Sequence, residues 1–432
     1  MVLKSLKTVS KSVKTRSRKL GSSSDKYLVA LDIGTEFVKA LIGKVNKNGE
    51  IDIVGAGRVH QKLTDMQAGA IADIGAVVQN CNQALAEAEE QAGVSVRSAV
   101  IGIAGELVKG TTTTVKCTRT DPNRELDIAE MEKIIDLVQE RAEKRARENL
   151  AWELGGKQVD IRLVNSALVG ITIDGYDVTN PIGFKGRDVV IQLYTAFAPL
   201  IHIAALERTA KELDLDLLAV AAEPFAVSRS VIGDNPNATM SAILMDVGGG
   251  TTDLAIVNEG GVQGTKMFGI GGRAFTRSIE KDLNIDFDMA EKLKINSGQG
   301  ADADDQEDIK RALDKTCDVW LSGIELALSE YTSLDHLPHQ ILLCGGGASL
   351  PTLLQALKET NWYTELPFTR KPKVAYITPH QVVGIDDSSG KVTDHTFVTA
   401  MGLLRVGLDT LEQQSSGGTG SIKERFDRIL QV

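Results

Sequence analysis

Cysteine is scarce and scattered. Cys81, Cys117, Cys317 and Cys344 are the only four in 432 residues, and no two form a C-x-x-C pair. This pattern signals neither a disulfide framework nor a zinc site, and it fits a reducing compartment. Also missing is any apolar run near the roughly 18 residues that a membrane-spanning helix requires. The N-terminal stretch lacks the apolar core of a secretory signal. The expectation is a protein made and kept in the cytoplasm. Acids are absent from residues 1–20, which hold Lys4, Lys7, Lys11, Lys14, Arg16, Arg18 and Lys19. Taking those seven from 48 basic residues leaves 41 against 58 acids, a balance of about −17 over residues 21–432. So acidic a body argues against general nucleic-acid binding. The remainder is ordinary globular material, 42% hydrophobic and 25% charged. Its length suggests two or more domains and a large core.

Residues 1–26 read as a basic arm that ends in Gly21-Ser22-Ser23-Ser24. Strands are expected at 27–33, 38–45 and 51–56, with a turn at Asn48-Gly49. The design recurs at 242–247, 254–257 and 262–268, with a turn at Glu259-Gly260-Gly261. Each copy runs apolar strand, Asp, apolar residue, Gly, hydroxyl residue, strand, turn, strand. We treat this as an internal duplication in which Asp32-Ile33-Gly34-Thr35 aligns with Asp246-Val247-Gly248, with two extra glycines in the second copy. Helical patterns lie at 74–92, 128–148, 200–214, 274–283, 289–295, 309–328, 350–358 and 397–408. Further strands are expected at 98–103, 188–196, 215–221 and 341–343. The acidic residues 301–308 read as a solvated loop, and 413–420 as a Ser/Gly linker.

The glycine turns carry the chemistry. Successive backbone N–H groups at Gly34, Gly248, Gly249 and Gly250 can cradle a phosphate chain without side chains in the way. Thr35, Thr251 and Thr252 can add hydroxyls. Asp32 and Asp246 end apolar strands beside these turns, where carboxylates repel phosphate unless a cation intervenes. Mg²⁺ favours a few carboxylates together with waters and phosphate oxygens, so the pair reads as its holders. A lone Asp at such a place would read as a turn former. Gly345-Gly346-Gly347-Ala348 joins a buried strand to a helix, and its backbone can pass close to a nucleoside. Glu291 and Lys294 share a helix face and either bind ribose or base or form a surface ion pair. Glu223-Pro224 opens a helix. Glu223 either orients the water that attacks a γ-phosphate or sits at a helix N-terminus because its charge suits it.

In order, these segments resemble five motifs of the actin-type ATPase superfamily. Leu31-Asp32-Ile33-Gly34-Thr35 and Asp246-Val247-Gly248-Gly249-Gly250-Thr251-Thr252-Asp253 resemble its two phosphate motifs. Leu343-Cys344-Gly345-Gly346-Gly347-Ala348 resembles its adenosine motif. Glu223-Pro224 and Ala400-Met401-Gly402-Leu403 resemble its connecting motifs. Over residues 27–412 the chain is most similar to the FtsA family of bacterial cell-division proteins. Gly69-Ala70-Ile71-Ala72-Asp73-Ile74, residues 98–105, Ile173-Asp174-Gly175 with Asn180-Pro181-Ile182-Gly183, and Ala290-Glu291-Lys292-Leu293-Lys294 carry that likeness.

The resemblance implies an α/β fold: actin-like, duplicated ribonuclease-H-type domains around a nucleotide cleft, with an FtsA-type 1C subdomain. It divides the chain into 1A (27–82 and 181–235), 1C (83–180), 2A (236–275 and 335–395), 2B (276–334) and a return helix (396–412). A linker (413–420) and an amphipathic tail (421–432) follow. It implies ATP and Mg²⁺ as cofactors, nucleoside contact by Glu291 and Lys294, and a slow ATPase. It further implies self-association into filaments and binding of the FtsZ C-terminal tail near 276–334. Recruitment of other division proteins, and a place on the cytoplasmic face of the inner membrane at the division site, belong to the same picture.

Ile422, Phe426, Ile429 and Leu430 share one helical face, as a membrane tether requires. Lys423, Arg425 and Arg428 are nearly cancelled by Glu424 and Asp427. Burial at about 1.5–3 kcal/mol per side chain gives one short tail weak binding, which a filament would multiply. Docking on a protein surface and disorder are the alternatives. The arm at 1–20 is either a second contact with anionic lipid or a basic tail. Residues 117–163 match the FtsA pattern poorly, and Lys39 is spaced as in the related pilus-assembly protein PilM. A PilM-like adaptor that binds a membrane partner's peptide is the alternative function. No acceptor base marks the chain as a sugar kinase, and too few residues follow 412 for a chaperone's peptide-binding domain.

Overall fold

The computed structural model describes residues 26–232, 239–296, 303–332 and 334–415. The basic arm, the tail at 421–432 and most of the linker lie outside the described residues.

The chain opens with three antiparallel strands, β1 (Lys26–Ile33), β2 (Phe37–Val45) and β3 (Ile51–His60). β1 is buried continuously from Leu28 to Ile33, which suits a strand covered on both faces. A small hairpin follows, β4 (Met66–Gln67) and β5 (Ala70–Ile71). Next comes α1 (Ile74–Ala92), whose first turn is capped by the Asp73 side chain and which stops at left-handed Gly93. β6 (Ser98–Ile103) runs parallel to β1. The chain then builds β7 (Lys109–Thr118), α2 (Ile128–Glu153), β8 (Ile161–Ile173), β9 (Tyr176–Asp177) and β10 (Asp188–Pro199). It returns through α3 (Leu200–Glu212) to β11 (Asp216–Ala222), parallel to β6, and α4 (Glu223–Ile232).

The second half repeats the plan. β12 (Ala242–Val247), β13 (Thr252–Asn258) and β14 (Gly261–Phe268) are antiparallel. Three helices follow, α5 (Gly272–Leu283), α6 (Phe287–Ile295) and α7 (Ala303–Ser329). β15 (Gln340–Cys344) pairs parallel to β12 and is followed by α8 (Pro351–Glu359) and β16 (Lys373–Tyr376), parallel to β15. β17 (Ile385–Asp387) crosses back to pair with β3, and α9 (Val398–Ser415) packs on α4 and on the first sheet. The orders β3-β2-β1-β6-β11 and β14-β13-β12-β15-β16 are the same, with the same directions. The duplication is therefore structural.

Three expectations are corrected. First, the two turns have equal length: Ile33 pairs with Val38 and Val247 with Thr252, so four residues lie between the last paired residues in each copy. No extra glycines are present. Gly249 and Gly250 occupy the places of Thr35 and Glu36, and Thr251 that of Phe37. Second, the acidic stretch is helical from residue 303, because α7 begins at Ala303. Asp305, Glu307 and Asp308 sit in its opening turns, where carboxylates complement the helix dipole. Third, α1 and β6 belong to the first half, so residue 83 falls inside a helix packed on β3. β10 joins the inserted strands, which continue the second sheet in the order β14-β7-β10-β8-β9. Sheet pairing thus places the inserted unit at about 104–199 rather than 83–180. Its link to β14 is short, Gly264 with Thr111 and Thr265 with Gly110.

Candidate functional site

Both turns close in the same way. Gly34 N–H donates to Phe37 O at 3.1 Å and Gly248 N–H to Thr251 O at 2.9 Å. Their carbonyls are occupied from behind. Buried Gln61 donates through Nε2 to Gly34 O (2.6 Å) and through its backbone to Glu36 O (2.9 Å). In the second copy the start of α5 does this work: Gly272 N–H reaches Gly248 O (2.9 Å) and Arg273 N–H reaches Gly249 O (2.7 Å). With these acceptors satisfied, no carbonyl competes with an anion for the remaining turn amides.

The turns touch each other. A Cβ on Gly250 would lie 2.8 Å from Thr35 Oγ1, and one on Gly249 would lie 2.9 Å from Glu36 Cβ. Side chains at those places would push the halves apart. The third glycine turn packs behind the second. Gly345 has φ +84°, and a Cβ there would lie 2.0 Å from Asp246 Oδ1.

These turns line a cleft of about 320 Å³ between the halves, within the size range of small-ligand sites. Asp32, Gly34, Thr35, Glu223 and Asp246 line it, as do Gly248, Gly249 and Thr251. Glu291, Lys294 and Gly345 to Gly347 line it as well. Three expected residues do not reach it. Gly250 nests against Thr35. Thr252 is fully buried, and its hydroxyl donates to Ile270 O (2.7 Å) and accepts from Trp320 Nε1 (2.9 Å). Strand register turns it toward the helices of the second half, so it has no hydroxyl to offer a phosphate. Ala348 lies in the second core, its carbonyl accepting from the Tyr376 hydroxyl at 2.9 Å.

The charges are unevenly paired. Asp32 Oδ2 accepts from Lys39 Nζ at 2.8 Å, and both side chains are nearly buried. Burial would lower the Lys39 pKa, but Asp32 outweighs it and holds the ammonium above its ordinary value. Asp246 accepts from the Thr399 hydroxyl at the start of α9. Glu223 Oε1 and Asp253 Oδ1 are buried with no hydrogen-bond partner. Burial pushes the Glu223 carboxyl well above the carboxylate range, with Asp32, Asp253 and Asp246 adding to it. Burial and then Asp246 do the same to Asp253, and burial raises Asp246.

Three buried carboxylates outside any ion pair, beside two glycine turns, fit a divalent cation. Among the described residues no three His, Cys, Asp or Glu side chains converge tightly enough to ligate a metal together. Mg²⁺ needs no such cluster, because it keeps waters and takes few protein ligands beside phosphate oxygens.

Glu291 and Lys294 form a partly buried pair in the cleft wall, not a solvated one (2.8 Å). Lys294 Nζ also donates to Gly272 O (3.0 Å) and Thr276 Oγ1 (2.9 Å), which occupies its three protons. Lys294 therefore braces α6 against α5 and holds Glu291 at the cleft. Sequence reasoning missed Gln61, Lys39 as the partner of Asp32, Asp253, Arg273 and Thr399 as site residues. The cross-strand register signals Lys39 and Asp253, since each sits opposite its copy's aspartate. The contacts of Gln61, Arg273 and Thr399 are long-range and have no local signature.

Two like halves around a nucleotide-sized cleft define the actin-like ATPase fold. A solved chain of a PilM–PilN type IV pilus biogenesis complex shares it, with a TM-score of 0.62 at 16% identity, covering 88% of this chain and 98% of that one. In sequence the chain resembles FtsA. The family "Cell division protein FtsA" matches residues 243–402. The cell division protein FtsA of Pseudomonas aeruginosa is 26% identical over 422 residues, covering 92% of this chain and 93% of that protein. That of Streptococcus pneumoniae is 25% identical over 355 residues, covering 77% and 73%.

Proposed function

We propose that the chain binds Mg·ATP in the cleft and acts as an FtsA-like cell-division protein. The observation that carries the nucleotide reading is the pair of matched turns, nested together with their carbonyls occupied, beside three buried carboxylates, Glu223, Asp246 and Asp253, that sit in no ion pair. In this reading the turn amides and Thr35 hold the phosphates, and Asp246 and Asp32 would hold Mg²⁺. When bound, Mg²⁺ neutralises charge between the phosphates and these carboxylates. Glu291 meets the ribose, and the Gly345–Gly347 backbone passes the adenosine. Glu223, which lines the cleft and has one buried oxygen without a partner, orients the attacking water, which makes the protein a slow ATPase.

The FtsA relatives, which cover most of the chain, support the cellular role. The protein polymerises at the division site, holds the FtsZ tail near residues 276–334 and recruits other division proteins. Residues 421–432, with 1–20 as a second contact, bind anionic lipid of the inner membrane. The likeness to the pilus complex concerns fold alone, and the FtsA likeness in sequence favours division over a PilM-like role.

One preparation tests both parts. Asp246→Ala should abolish Mg·ATP binding in titration calorimetry, and unchanged affinity would sink the nucleotide reading. The same protein should bind an FtsZ C-terminal peptide. Capture of a pilus-membrane peptide instead would overturn the division reading.

A further inference from the structure

We infer that Arg273 is a positioning residue that sets the separation of the two phosphate turns and thereby the affinity for the phosphate chain. The inference rests on the nucleotide reading above. Arg273 is the second residue of α5, and it touches both copies. Its backbone N–H holds Gly249 O of the second turn at 2.7 Å. Its guanidinium crosses the cleft to the first turn, where Nη2 donates to Thr35 O (2.8 Å) and Nε to Glu36 Oε2 (2.7 Å).

Glu36 is gripped on its other oxygen as well, by His60 Nε2 at 2.6 Å. His60 in turn packs edge-on against Phe37, with ring centroids 5.3 Å apart. The first turn is thus anchored in its own half through His60 and Gln61, and in the other half through Arg273. The Arg273–Glu36 pair is largely shielded, with 12% and 21% of the side chains exposed, so water screens it little.

A guanidinium suits the task. Its planar fork delivers two donors in fixed geometry, to a carbonyl and to a carboxylate, whereas an ammonium delivers a point charge. The turns are already in contact at Gly250 and Thr35, so their spacing has little slack. A phosphate chain held by amides from both turns feels that spacing, and a displacement of about 1 Å at such a site can cost up to about a hundredfold. The nucleoside end, between α6 and Gly345–Gly347, uses only the second half and does not feel it.

The experiment compares adenosine, ADP and ATP, with Mg²⁺, on the full chain and on Arg273→Gln, Arg273→Lys and Glu36→Gln. The backbone bond to Gly249 survives each change, so only the side-chain arm is removed. Arg273→Gln should weaken ADP and ATP by about tenfold or more and leave adenosine within about twofold. Arg273→Lys should recover part of that loss. Glu36→Gln, which keeps the bond to Thr35, should lose less than Arg273→Gln. Unchanged ATP affinity in Arg273→Gln, or an equal loss for adenosine, would overturn the inference.

A wild-type chain that binds no adenine nucleotide would break the nucleotide reading instead. The strut is then judged by amide hydrogen exchange in the ligand-free protein. Arg273→Gln should speed exchange across residues 34–37 and 248–251 together, and exchange like the wild type's there would overturn it.

Discussion

The two glycine-turn hairpins match in length, closure and strand register, yet they differ in the charge that faces each aspartate. Across the first ladder Asp32 faces Lys39, and across the second Asp246 faces Asp253. The first hairpin carries its own counter-ion at 2.8 Å. The second places two carboxylates side by side, and one oxygen of Asp253 has no partner at all. Identical backbones therefore do different work. The first copy is electrostatically complete without ligand. The second is incomplete, which is the condition under which a bound cation gains most. On the Mg²⁺ reading proposed above, Asp32 would reach the cation only by sharing itself with Lys39, and the second hairpin would provide the stronger attraction.

The largest effect expected from breaking this contrast is at Lys39. Lys39→Met removes the ammonium and keeps most of the volume. It leaves Asp32 buried, unpaired and close to other carboxylates. Breaking a buried pair in this way costs about 3–5 kcal/mol, readable by urea denaturation of the ligand-free protein. The double variant Asp32→Asn/Lys39→Met should recover most of that loss. A single variant as stable as the wild type would show that the first hairpin is not held by its ion pair.

A smaller effect separates neighbours in the second hairpin. Thr251 lines the cleft, whereas Thr252 is bound to Ile270 O and Trp320 Nε1. Thr252→Val strands a partly buried carbonyl and a buried indole N–H, at a cost of about 1–3 kcal/mol. Nucleotide affinity should be unchanged, and Thr252→Ser should restore stability. Loss of affinity with stability intact would return Thr252 to the phosphate site.

Much of this molecule was readable from sequence, for reasons the particular residues show. Continuous apolar runs ending in Asp-x-Gly marked β1 and β12, because central strands of this kind carry no polar face. Helix periodicity located α1 to its terminal residues. What escaped depended on partners far along the chain. Thr252 was placed at the phosphates because sequence order does not reveal strand register, and a single step turns a side chain to the opposite face. The edges of the inserted unit were misplaced because β7 finds its neighbour in β14, some 150 residues later. The acidic opening of α7 looked like loop, yet its acids suit a helix N-terminus. Arg273 and Gln61 act on turns more than 20 residues away, and only tertiary structure brings them there.

The smallest effect has the opposite sign, and it tests the contrast most directly. Asp253 is held above its ordinary carboxyl pKa, first by burial and then by Asp246. A group raised on folding contributes stability that is fully present below its unfolded value, near 3.8, and lost as pH rises through its folded value. At neutral pH the ligand-free protein therefore carries this cost. Asp253→Asn keeps the shape and removes the charge, so it should stabilise the ligand-free chain by about 1 kcal/mol. The gain should shrink toward acid pH, where the wild-type carboxyl is protonated in both states. Substituting Asn for Asp32 in the other hairpin should do the reverse and destabilise, because it strands Lys39. Should both substitutions move stability in the same direction, the two hairpins would not be electrostatic opposites, and the cation could not be assigned to the second on grounds of charge.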